Sequence, residues 1–154
     1  MALPLIVGID GSDSSLLAVD WAVDEAARRR LPLRLVHASL WERYERAQPS
    51  FTTDRPAEKV TAQHIIASCV ERARLRNPEV KASGEILPDD AVDVHRQPVE
   101  GPVHRVLLEA SAQDDLIVVG AVRRHGHFGL QLGRTAHALL HHSECPVAVV
   151  PQPA

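Results

Sequence analysis

A chain of 154 residues with 45% hydrophobic and 24% charged side chains has the makeup of an ordinary globular protein, and folding at this length buries roughly 68–70% of the surface the unfolded chain exposes, enough for a core without disulfides. A net charge of −3 argues against a general nucleic-acid or membrane-surface binder, which needs a basic face. Aromatic residues at 3% and only two cysteines, Cys69 and Cys145, mean a core of Val, Leu, Ala and Ile and exclude a disulfide framework or a CxxC metal pair; the cysteines read as small buried residues of a reducing compartment.

The opening MALPLIVGID lacks a positive start, and its apolar run stops at Gly8, too short for a signal peptide or a membrane span. The expectation is a complete, soluble, cytoplasmic protein with one domain over 1–154, no membrane partner and no nucleic-acid partner. LPLIVGID is the pattern of a strand buried on both faces. The hydroxyls and Asp13 of GSDSS then supply helix N-caps. From 14 to 30, small and apolar residues recur at 15, 18, 19, 22, 23 and 26, with Asp20 and Asp24 early and Arg28 and Arg29 late, which predicts an amphipathic helix that complements its dipole.

LPLRLVHA (31–38) is a second strand. Residues 39–56, with Pro49 and Pro56, have no period and form a long loop, a flap or partner patch on which at least one of Trp41 and Tyr44 is expected to be packed. Helical spacing returns over 57–76, RNPEVKASGEILPDD reads as a turn region, and AVDVHRQ (91–97) alternates like a strand. A helix over 102–113, an apolar strand over 114–121, a helix over 131–142 and a strand at 146–150 between Pro146 and Pro151 complete the chain. The alternation β-α-β-α-β-α-β-α-β calls for a doubly wound parallel sheet, with its ligand crevice at the carboxyl ends of the strands where the strand order reverses. The proline-flanked last strand has the signature of a sheet edge.

Glycines at 120, 126, 129 and 133 stand between the fourth strand and the last helix, where bare backbone and helix amides suit a phosphate chain. No Walker motif, GxGxxG, Ser/His/Asp set or paired carboxylate marks a catalyst. His137 and His141 are four apart and His142 and Cys145 follow. That spacing suits zinc, but without another partner at ligand spacing the preferred role is at the helix carboxyl end, and no metal is expected.

With VGIDGS at the start, DDLIVVGA leading into the glycine loop, and LLHHSECPVAVVP at the end, the whole chain resembles the universal stress protein family. The resemblance implies a five-stranded sheet in the order 3-2-1-4-5, of the adenine nucleotide alpha hydrolase-like kind, in a cytoplasmic protein that pairs as a homodimer through the last strand, here 147–150. Nucleotide-binding members carry a glycine, two residues, a glycine, nine residues, then a glycine and a serine or threonine. Gly120 and Gly133 match the first and third positions; Arg123 stands at the second glycine, Arg134 at the hydroxyl position, and Thr135 one residue late.

By the same resemblance Asp10 meets the base and ribose and Ala38 packs on adenine. Gly120, Gly126, Gly129 and Gly133 let the loop wrap the phosphates of ATP, with or without magnesium, and Arg123, Arg134 and Thr135 contact them. Arginine is a bidentate phosphate partner, although the two arginines also have the bulk to close the crevice. The implied function is a non-catalytic stress-response regulator that binds an adenine nucleotide, slow hydrolysis being left open. The competing reading is a nucleotide-free dimeric interaction module of the same fold.

Overall fold

The apolar runs LIVG and LIVVGA lie side by side as parallel strands, β1 (Leu5–Gly8) and β4 (Leu116–Ala121). A strand can be apolar at successive positions only where both faces of its sheet are covered. The computed structural model describes residues 3–39, 55–88, 102–121 and 133–152. Its remaining elements are α1 (Asp13–Arg29), β2 (Leu33–Ser39), α2 (Arg55–Arg76), β3 (Ala82–Pro88), α3 (Pro102–Ser111), α4 (Arg134–His142) and β5 (Val147–Pro151). The strands form one parallel sheet in the order β3-β2-β1-β4-β5, as expected.

Strand parity sorts the core into two layers. Leu5, Val7, Leu35 and Val118 face α1 and α2, where they meet Val19 and Cys69 among others. Ile6, Val36, Ile117 and Val119 face the opposite way, onto Leu107 of α3 and Leu139 of α4. Each fully buried Leu, Ile or Val contributes about 1.5–3 kcal/mol relative to an exposed position. Pro56 and Pro102 sit in the first turns of their helices, where an amide has no intrahelical partner to lose.

The third strand departs from the sequence reading. The stretch read as a turn holds β3, paired with β2 from Leu33↔Ala82 to Ser39↔Pro88, while 91–97 lies outside the described residues, as do Trp41 and Tyr44. The reason is position: among the described residues β3 is an edge strand with β2 alone beside it. It leaves Ser83, Gly84 and Glu85 exposed and needs no apolar alternation. Gly84 serves packing, since a Cβ there would collide with Ile66 Cγ2 and come within 3.0 Å of Val70 Cγ2 on α2.

Two bidentate ion pairs cross from α2 to α1. Arg72 donates to both oxygens of Asp20 at 2.7 and 2.6 Å, and Arg76 to both of Asp24 at 2.9 and 2.7 Å. Between them the α1–α2 contact is made of small residues such as Ala18, Ala22, Cys69 and Ala73.

At the amino end of β4, Asp114 has a side-chain exposure of 0%, and neither carboxylate oxygen has a hydrogen-bond partner among the described residues. Arg34 Nη1 lies 3.6 Å from it, but the Arg34 Nε–H is given to Glu85 at 3.0 Å. Burial pushes the Asp114 carboxyl above its ordinary value, Arg34 opposes that shift, and Glu85 adds to it.

Candidate functional site

β1 pairs with β2 on one side and β4 on the other, so the strand order reverses at β1 and the loops leaving β1 and β4 flank a crevice. The β1 side is Ile9-Asp10-Gly11-Ser12. Gly11 has φ +81°, a left-handed conformation that glycine adopts without the Cβ penalty, and it helps turn the chain from strand to helix within four residues.

Asp10 Oδ1 accepts the Ser12 amide at 2.9 Å and the Ser12 hydroxyl at 2.5 Å. The single Ser12 hydroxyl proton is thereby spent, so Ser12 Oγ receives its other bonds: from the Ser14 hydroxyl at 3.0 Å and from the Ser15 amide at 3.3 Å, the latter capping α1. Desolvation raises the Asp10 carboxyl, but the Ser12 hydroxyl and amide, with Ser15, outweigh it and hold Asp10 below its ordinary value. Asp10 is therefore an anion at neutral pH. It braces the turn through Oδ1, while Oδ2 has no hydrogen-bond partner among the described residues.

His37, which the sequence reading passed over, joins this edge. Its Nδ1 lies 2.9 Å from the carbonyl of Ile9; the carbonyl can only accept, so Nδ1 carries the proton. That bond ties the end of β2 to the residue before Asp10. Ala38, the next residue of β2, pairs with Leu87 of β3.

Across the crevice, Gly120 is near the carboxyl end of β4. A Cβ there would run into the Ser14 carbonyl, with Ser14 Cβ at 3.0 Å. The missing side chain thus admits the first turn of α1 over β4, a packing reason separate from phosphate approach. Arg123, Gly126 and Gly129 lie outside the described residues. β5 runs parallel to β4, so α4, the helix between them, begins at the carboxyl edge of the sheet.

Gly133 is the N-cap of α4, with φ −63° and ψ 163° and no side-chain cap bond. That conformation suits any residue, and a Cβ on Gly133 would meet nothing within 4 Å among the described residues. The first-turn amides of Arg134, Thr135 and Ala136 have no intrahelical acceptor. Arg134 is exposed and Thr135 half-buried; Arg134 has no ion pair among the described residues. The arrangement is a positive helix end carrying a free guanidinium, suited to an anion.

The family model of the Universal stress protein family matches residues 1–151. Among curated proteins, the chain is 34% identical over 146 residues to universal stress protein Rv2028c of Mycobacterium tuberculosis, covering 95% of this chain and 47% of that protein. It is 34% identical over 154 residues to universal stress protein Rv2624c of the same organism, covering 97% and 50%. The chain spans about half the length of these relatives. Among solved structures, a universal stress protein from Archaeoglobus fulgidus superposes with a TM-score of 0.67 at 18% identity, covering 97% of this chain and 99% of that one. A universal stress protein in complex with cAMP gives 0.65 at 22%, covering 99% and 100%. The Archaeoglobus fulgidus protein in complex with dAMP gives 0.62 at 16%, covering 96% and 97%.

Proposed function

The chain belongs to the universal stress protein family, and from that premise we propose that it is a non-catalytic stress-response regulator that binds an adenine nucleotide, ATP in the first instance, between the loops after β1 and β4. The observation that carries the reading is the amino end of α4: a glycine N-cap whose Cβ position meets nothing within 4 Å among the described residues, with the exposed Arg134 beside it. The phosphates lie against the amides of Arg134, Thr135 and Ala136, with the Arg134 guanidinium and the Thr135 hydroxyl as side-chain contacts. Arg123, Gly120, Gly126 and Gly129 complete the loop around them. Asp10 offers Oδ2 to a ribose hydroxyl, and Ala38 packs on the base. The solved relatives holding cAMP and dAMP support the ligand class.

The test is calorimetric titration of the full chain with Mg-ATP and with AMP, beside Gly133→Asp. Aspartate is a favoured N-cap, better than glycine by a few tenths of a kcal/mol, and its charge stands where the phosphates would. Expected is micromolar binding in the wild type, about 8 kcal/mol, and at least a tenfold loss in a variant whose melting temperature holds or rises. A flat wild-type titration to millimolar ATP, or unchanged affinity in the variant, overturns the reading; the flat titration moves the protein to the nucleotide-free interaction module.

The same proposal includes one domain over the chain, a cytoplasmic location and a homodimer. Among the described residues β5 has β4 on one side alone, its Val147, Ala148, Val149 and Val150 are half-buried, and an apolar edge strand invites a second copy. Sedimentation at micromolar concentration is expected to give twice the chain mass, and a monomer mass sinks that part.

A further inference from the structure

We propose that His137 and His141, on the outer face of α4, form a chelating pair for a divalent metal that prefers square-planar or tetragonal geometry, Cu(II) first and Ni(II) next. Both residues are exposed, and they stand one helical turn apart, the spacing that brings two imidazoles onto one face. Their ring centroids are 4.5 Å apart with the planes tilted by 50°.

That separation bears on the choice of metal. A metal–imidazole bond of about 2.0–2.1 Å puts each ring centre about 3.2 Å from the ion, so two ligands at about 90° hold their rings about 4.5 Å apart, against about 5.2 Å at the tetrahedral angle zinc prefers. The observed spacing is that of adjacent corners of a square. The affinity order of divalent first-row metals independently places Cu(II) above Ni(II) and Zn(II).

The surroundings favour a cation at His141, in the last turn, where the helix dipole presents unsatisfied carbonyls. Arg134, one turn before His137, is the charge that opposes it. His142 is not part of the pair: it directly follows His141, adjacent residues of a helix do not share a face, and its ring stands 6.3 Å from that of His141. Water fills the remaining positions, and the site needs neutral imidazoles, so acid releases the metal. Binding would staple two consecutive turns of the helix whose first turn carries the anion site, but the proposal stands without any nucleotide.

The full chain is titrated with Cu(II) delivered as its glycine complex, and with Zn(II), by calorimetry and electron paramagnetic resonance. Expected is saturable Cu(II) uptake in the micromolar range or tighter, with a two-imidazole nitrogen signature. His137→Gln and His141→Gln should each weaken it at least tenfold, His142→Gln should leave it unchanged, and Zn(II) should bind at least tenfold more weakly. All three positions are exposed and glutamine is a good helix former, so circular dichroism is expected to match the wild type. Wild-type uptake in His137→Gln or His141→Gln, an equal loss in His142→Gln, no saturation by about 100 μM Cu(II), or Zn(II) binding as tightly as Cu(II) each overturns the assignment.

Discussion

Asp114→Asn is expected to stabilise the protein at neutral pH by about 1–3 kcal/mol, the scale of one unsatisfied buried polar group. Two effects oppose each other here. Removing one partner of a buried ion pair costs about 3–5 kcal/mol when it strands the other charge. Arg34 is not stranded, however: its side chain is 27% exposed and it keeps its bond to Glu85. The unbonded, fully buried carboxylate therefore dominates.

The pH dependence has a definite sign. The folded Asp114 carboxyl lies above its unfolded value of 3.8, so the native state binds the proton more tightly. Stability owed to this group is greatest below 3.8 and is lost as pH rises through the folded value. Urea melts across the acid and neutral range should show wild type and variant converging toward low pH and separating toward pH 7, with the variant on top. A variant less stable than wild type at pH 7 would mean that the Arg34 attraction outweighs burial.

Gly120→Ala is expected to destabilise by about 3 kcal/mol or more, the upper end of overpacking. The new methyl would strike the Ser14 carbonyl, which is backbone of the α1 first turn and cannot rotate aside. For a chain of this length that is a fall of roughly 6–12 °C in Tm. Gly84→Ala, whose methyl meets the Ile66 side chain, should cost less because a side chain can shift. Thermal melts followed by circular dichroism order the two, and a Gly120→Ala protein melting within about 2 °C of wild type would show that α1 can move off β4.

The two innermost apolar strands, the amphipathic α1 and the proline-flanked β5 were readable because each is dictated by local periodicity, capping or chain stiffness. β3 was not, since an edge strand covered from one direction carries little pattern and its glycine answers to Ile66 on α2. The Asp10-Gly11-Ser12 turn was readable from residue type, whereas Gly133, which the pattern put inside a helix over 131–142, is the N-cap of α4. The packing reason for Gly120 was not, because it depends on a backbone contact with residue 14. His37 and Asp114 carry no local signal either: one is defined by the carbonyl of Ile9 on the neighbouring strand, the other by Arg34 two strands away.

The paired rungs between α1 and α2 bear on a different problem, that of sliding. Ala18, Ala22, Cys69 and Ala73 make a smooth seam, along which one helix shifted by a turn would still bury small apolar groups. Asp20 and Asp24 are four residues apart, as are Arg72 and Arg76, and both bonds join residues separated by 52 positions. The two helices therefore run the same way, with matched turns abreast. Shifted by one turn, a single pair re-forms and one carboxylate and one guanidinium are left over. Exposed ion pairs of this kind add about 0.2–1 kcal/mol each, little beside the buried core, yet they act as detents: charge selects one alignment among several that the oily seam would accept almost equally.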